Sequence, residues 1–269
     1  MAKLLLDLLN GLMNTFPLFT SLAITLGLVL LCSKSIKTHT GIYYGIFSIP
    51  TILALVHYVG KLTGTLDLYP IPVIGDVVRT YTYMLPLGLP LLLIIMFTGA
   101  FKPRSYMAKK LQPIRQELSI LSGFPVLTHM LFKLTYTFPH SFAKLFILPD
   151  PLPEGRIFAE TGYQIGIFMS ILYLLLWVTS FTTVRKKLGG LRWKKVQRWA
   201  YLLYGLIYVH SILLNLGWIF GGRTPVASYD RRPEWTIAII SMTILYALYL
   251  VLKVRKHRFS QPDRFSAYF

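Results

Sequence analysis

The chain has 269 residues, 54% of them hydrophobic and 14% charged, with one cysteine and a formal net charge of +18; its mean hydropathy is +0.56. Those values are too apolar for an ordinary soluble domain and place the chain among polytopic membrane proteins. The Lys and Arg surplus then reads as orienting charge in loops rather than a nucleic-acid surface, and the lone Cys32 excludes an internal disulfide, a CxxC redox pair and a cysteine-ligated cluster.

Residues 1–15 alternate Leu-rich and polar positions and read as a short interfacial helix. The first apolar run continues to span length, so no cleavable signal peptide is expected. Crossing a hydrocarbon core takes about 20 apolar residues. That criterion predicts helices over 16–33, 41–60, 83–101, 117–138, 163–184, 196–218 and 234–254, an all-α polytopic bundle of about seven transmembrane helices. Pro50, Pro86, Pro90 and Pro125 fall inside these spans and are expected as kinks. The organisation is read as an N-terminal segment and extra helix (1–40), a membrane domain (41–255) and a basic tail (256–269). That tail is too short to bind a nucleotide alone, so electrons from a nicotinamide would need another polypeptide to collect them.

Charge alternates from loop to loop. Lys34 and Lys37, then Lys102 to Arg115, then Arg185 to Arg198, then Lys253 to Arg264 make one set of loops basic. The intervening loops carry Asp67, Asp76, Asp150, Glu154 and Glu160. Basic loops stay in the cytoplasm, so the C-terminus is expected inside and the N-terminus outside. The other loops, 61–82 and 139–162, are rich in Pro, Gly and aromatics and would form an outer face.

An ionisable side chain deep in a span is costly and marks a site. From Glu117, His129 lies about 18 Å along its helix; from Val196, His210 lies about 21 Å along its own. Both enter from the same side, so both imidazoles stand at nearly one level in the outer half. Two level imidazoles on neighbouring helices suit the axial positions of a b-type haem. Interhelical hydrogen bonds in a haem-free bundle are the alternative. Lys133, one turn beyond His129, could meet a haem propionate or simply snorkel to water. Tyr204, Tyr208, Trp218 and Phe132 could pack on the porphyrin, though interfacial belts also explain such residues. His57, near the outer end of its helix, is read as a capping, propionate or proton-handling group, whereas His39, His140 and His257 fall in loops or the tail. At the inner side Arg115, Arg185, Lys186, Arg192, Lys195 and Arg198 converge with Trp193 and Trp199, groups suited to a flavin's phosphate and ring. Plain positive-inside charge with interfacial tryptophan accounts for the same residues.

Leu191 to His210, Leu-Arg-Trp-Lys-Lys-Val-Gln-Arg-Trp-Ala-Tyr-Leu-Leu-Tyr-Gly-Leu-Ile-Tyr-Val-His, resembles the Arg-Trp-x-x-Leu-His-x-Leu-x-Tyr-Leu…His segment of the ferric-reductase-like transmembrane family, especially its MsrQ (YedZ) branch. Thr-Ser-Phe-Thr-Thr-Val-Arg-Lys-Lys-Leu-Gly at 179–189 resembles that branch too, and 115–129 more loosely. The resemblance covers roughly residues 40–255, and the first helix stands outside a six-helix core. It implies axial haem ligation by His129 and His210. It also implies electrons from reduced flavin or a flavin reductase in the cytoplasm, with FMN or FAD bound at the inner side. Where the branch usually has an inner histidine, this chain has Gln197, so one haem b is expected rather than two. The implied product is a b-haem electron relay in a bacterial cell membrane. Its acceptor would lie outside: an exported molybdenum-containing methionine-sulfoxide reductase, a ferric chelate or a quinone. Beyond membrane lipid no other partner is expected, and no nucleic acid. The reading from another class is a haem-free small-solute transporter or membrane assembly subunit.

Overall fold

The computed structural model describes residues 11–12, 15–83, 87–134, 154–220 and 232–259. Most of the expected N-terminal interfacial helix, Pro86, His140, Asp150, the loop over 139–153 and the tail beyond 259 lie outside the described residues. Within them the fold is all-helical. In chain order the helices are α1 (Pro17–Thr38), α2 (Thr40–Thr63), α3 (Ile74–Tyr83), α4 (Gly88–Thr98), α5 (Tyr106–Leu111), α6 (Arg115–Phe132), α7 (Glu154–Val178), α8 (Thr182–Leu188), α9 (Gly190–Gln197), α10 (Ala200–Ile219) and α11 (Arg232–Phe259). A single 3-10 turn, Gln112–Ile114, joins α5 to α6.

Among the described residues five stretches are long and apolar enough to cross a membrane: Pro17–Thr38, Thr40–Thr63, Ile157–Val178, Gly190–Ile219 and Pro233–Arg258. That is the makeup of an integral membrane protein. Length and apolarity alone do not reach the seven spans expected from the sequence. Over the predicted span 83–101 the structure places α4, which has 11 residues and reaches only about 16 Å. Pro90 falls in its first turn, where a missing N–H costs no hydrogen bond, so it marks a boundary rather than a kink. Over 117–138 stands α6, with 18 residues, about 27 Å long. It carries the polar residues Arg115, Glu117 and His129.

Contacts between elements run α1, α2, α6, α7, α10, α11 and back to α1, a ring closed around α4. This explains why α4 is apolar on every side: Leu91 to Thr98 are all buried, and a helix hydrophobic all round belongs in a core. Leu92, Leu93, Met96 and Phe97 pack against Val126 and Met130 of α6, Leu172 and Tyr173 of α7, Leu203 and Ile207 of α10, and Leu245 and Tyr249 of α11. Outward residues such as Leu31, Ile42, Val59, Ile171 and Leu250 stay exposed. Lipid is as apolar as leucine, so close packing and polar contacts, rather than water exclusion, decide which faces turn inward.

The tightest packing in the ring joins α7 to α10. Gly162, Gly166 and Ser170 recur every four residues on α7, a small-residue face that lets helices approach closely. A Cβ on Gly162 would lie 3.0 Å from Leu214 Cδ2, and one on Gly166 would lie 3.0 Å from His210 Cε1. At one end of the bundle the basic residues gather. Lys37 pairs with Glu117 at 2.6 Å, Lys253 Nζ donates to Tyr201 Oη at 2.9 Å, and Lys256 Nζ donates to the Gly99 carbonyl at 2.9 Å. The loop expected between the fifth and sixth spans folds at this end as α8 and α9.

Candidate functional site

A cavity of about 70 Å³ opens between α4, α6, α7 and α10, and both His129 and His210 line it. That volume is well below the range of about 300–1,000 Å³ for pockets that hold small molecules and cofactors, so a large planar group would enter only if the helices parted. Among the described residues α6 and α10 make little direct contact, so the two histidines reach the cavity from helices that leave space between them. Leu92, Val126, Met130, Ile167, Leu203 and Ile207 give it an apolar wall.

His210 is fixed in place. Its Nδ1 lies 2.7 Å from the Gly162 carbonyl oxygen. A carbonyl can only accept, so Nδ1 carries the proton and the neutral ring keeps its Nε2 lone pair. Metal-binding histidines are commonly oriented by such a bond from the other nitrogen. The ring reaches that carbonyl because Gly166, one turn along, has no side chain to occupy the space. Lys133 stands at the end of α6 and also lines the cavity; its Nζ is 5.2 Å from the Phe132 ring centre and 5.8 Å from that of Tyr163.

Other expected neighbours are elsewhere. Neither Tyr204 nor Tyr208 lines the cavity; Tyr246 Oη donates to the Tyr204 backbone carbonyl at 2.7 Å, and Tyr208 turns toward α11, its Oη 3.1 Å from Thr243 Oγ1. Trp218 stacks on Trp235 at 5.1 Å, and Phe132 packs against Tyr58 at 5.3 Å. His57 is fully buried, 0% exposed, in a separate cluster at the end of α2. Its Nδ1 accepts the Leu68 N–H at 3.1 Å, and its ring lies 4.0 Å from that of Tyr69. It folds the 64–73 loop back onto the helix and does not line the cavity. Beside it Asp67 is held below the usual carboxylate range, first by the Tyr69 N–H it accepts and then by the Lys61 ammonium. The sequence reading missed Tyr163, Gly166, Met169, Ser170 and Tyr173, all in the cavity lining. The four-residue spacing of Gly162, Gly166 and Ser170 was the available signal.

A second cavity, about 440 Å³, lies at the basic end and is lined by Lys37, Arg115, Gln116, Arg185, Trp193 and Gln197 among others. Of the expected inner-site residues it gathers Arg115, Arg185, Trp193 and Gln197. Lys186, Arg192, Lys195, Arg198 and Trp199 stay on the exposed surface outside its lining. The Arg185 guanidinium lies 4.3 Å over the Trp193 ring, whose Nε1 donates to the Thr179 carbonyl at 2.9 Å. Gln197 Nε2 donates to Thr179 Oγ1 at 3.0 Å, so this amide ties α9 to the end of α7.

Among the described residues no three His, Cys, Asp or Glu side chains gather to hold a metal ion. Two imidazoles suffice only where a macrocycle supplies the remaining ligands. No family model matches the chain, and no solved structure matches it. An uncharacterized protein of Treponema pallidum (strain Nichols) is 38% identical over 102 residues, which cover 36% of this chain and 26% of that protein. The match thus spans about a quarter of the relative's length.

Proposed function

We propose that this integral membrane protein is a b-haem electron relay, held in the bacterial cell membrane with its basic end in the cytoplasm. The observation that carries this is the shared cavity: His129 and His210, two helices apart around the ring, line one apolar space, which a haem would have to widen. The sequence likeness to ferric-reductase-like and MsrQ proteins points the same way. A haem held there would supply reversible one-electron chemistry at iron, which suits a relay of electrons. His129 and His210 would hold the iron, the Gly162 carbonyl would orient the His210 ring, and Lys133 would face a propionate. Electrons would arrive from reduced flavin or a flavin reductase at the basic cavity, where Arg115 and Arg185 suit a phosphate and Trp193 a planar ring. They would leave to an acceptor at the opposite end.

Absorption spectra of protein purified from a haem-sufficient host test the proposal. A Soret band, a sharp α band on dithionite reduction and one haem per chain are expected. His129→Ala and His210→Ala should each abolish them, and His57→Ala should not. Protein without a Soret band ends the proposal. It would favour a haem-free transporter or assembly subunit, in which the 2.7 Å bond from His210 to Gly162 serves only to join α7 to α10.

A further inference from the structure

No residue of α8 or α9 is buried. The inner face of α9 is held to the bundle by Trp193 and Gln197, which both bond to Thr179, and its other side is left bare. From Thr182 to Trp199 the chain carries Lys and Arg at short intervals and no Asp or Glu, so no acid on this arm neutralises them.

The depth of the arm follows from its continuation. Helix α10 has 20 residues and is about 30 Å long, the thickness of the hydrocarbon core. Helix α9 precedes it on the same apolar stretch, Gly190–Ile219, and therefore stands at the level of the lipid headgroups. Arg198 (φ −66°, ψ −26°) and Trp199 (φ −63°, ψ −14°) between them keep helical backbone angles, so a face of α9 carries on into α10. One such face runs through Leu191, Lys195, Arg198, Leu202, Gly205 and Val209, each four or three residues from the last, and all six are exposed. Its headgroup end is cationic and its hydrocarbon end apolar. Among the described residues a Cβ on Gly205 would meet nothing within 4 Å, which leaves a shallow groove that no side chain of the protein fills. Tyr201, one turn beyond Arg198 and also exposed, accepts from Lys253 Nζ of α11 at 2.9 Å, and a third cation thus stands beside the other two.

We infer that this face binds an anionic phospholipid, with its phosphate on Lys195 and Arg198 beside Lys253 and an acyl chain along Leu202, Gly205 and Val209. Guanidinium and ammonium groups make strong charge-assisted hydrogen bonds to phosphate oxygens, and Lys and Arg clustered directly beside a span draw anionic headgroups. A zwitterionic headgroup brings its own ammonium to the same place, where three cations repel it. The site is therefore selective for a headgroup of phosphatidylglycerol type over phosphatidylcholine. It rests neither on haem nor on which side of the membrane the basic end faces.

The test is native mass spectrometry of the full-length protein, stripped of lipid and equilibrated with equal amounts of dioleoyl phosphatidylglycerol and dioleoyl phosphatidylcholine. Wild type should retain phosphatidylglycerol several-fold over phosphatidylcholine in the last lipid to leave. Lys195→Gln with Arg198→Gln should remove that preference. Lys109→Gln with Lys110→Gln takes the same charge from the exposed side of α5 and should keep the wild-type ratio. Should the α9 pair fail to purify, Lys194→Gln with Lys195→Gln is read in its place. Equal retention of the two lipids by wild type overturns the inference, as does an α9 variant with the wild-type ratio, or an α5 pair that loses as much preference as the α9 pair. No haem band enters the measurement, so this site and the haem proposal fail separately.

Discussion

Alanine at Gly166 perturbs the His210 ring without touching either the ring or its acceptor. The new Cβ would stand 3.0 Å from His210 Cε1 and 3.4 Å from Nδ1. The ring must therefore give way, and it is anchored by its 2.7 Å bond to the Gly162 carbonyl. Alanine at Gly162 is the control one turn away, because its Cβ would meet Leu214 Cδ2 at 3.0 Å, the free end of a flexible side chain. Both changes gain the helix preference of alanine over glycine, about 0.8–1 kcal/mol. Only Gly166→Ala strains the buried N–H bond, and an unsatisfied donor there costs about 1–3 kcal/mol. The net expectation is a Gly162→Ala stabilised by up to about 1 kcal/mol and a Gly166→Ala destabilised by about 1 kcal/mol. For a chain of this size that is a melting point lower by about 2–4 °C. Paired melts in one detergent measure the difference, and Soret absorbance per chain shows whether haem retention falls with it. A Gly166→Ala protein as stable as Gly162→Ala, with an unchanged Soret band, would refute the idea that the bare glycine holds the imidazole in place.

His57→Ala strips the buried Leu68 N–H of its acceptor and should cost about 1–3 kcal/mol in a melt, with haem content unaltered. Asp67 titrates below its ordinary value of 3.8, so its hold on the 64–73 loop is complete above that pH and is lost as pH falls through the lower folded value. Protease nicking of this loop should rise only below about pH 3.8; nicking that rises near neutrality would point to His57 instead. Arg115→Ala with Trp193→Ala should slow haem reduction by added reduced flavin while leaving dithionite reduction and haem stoichiometry intact, as stopped-flow absorbance would report.

Much of this molecule is written along the helix axes. A residue's position fixes its depth at about 1.5 Å per step, which is why His129 and His210 could be placed at one level, and why the basic loops could be gathered at one end. Composition likewise marked the chain as a membrane protein. What the sequence left open is rotation about each axis. In a soluble helix the polar face reports which side turns outward, but here the faces toward lipid and toward neighbours are equally apolar. Tyr208 shares a helix with His210, yet its chemistry gives no sign that it turns to α11 while His210 turns to α7. The sequence puts His57 near the end of its helix, as it does the other two histidines, but the fold-back of the 64–73 loop removes it from their cavity. The brevity of α4 was hidden for a related reason: a helix buried at the centre of a ring and one exposed to lipid carry the same leucines. Only the packed bundle, with Gly166 making room for an imidazole and Trp177 resting on Gly123, settled which side chains meet.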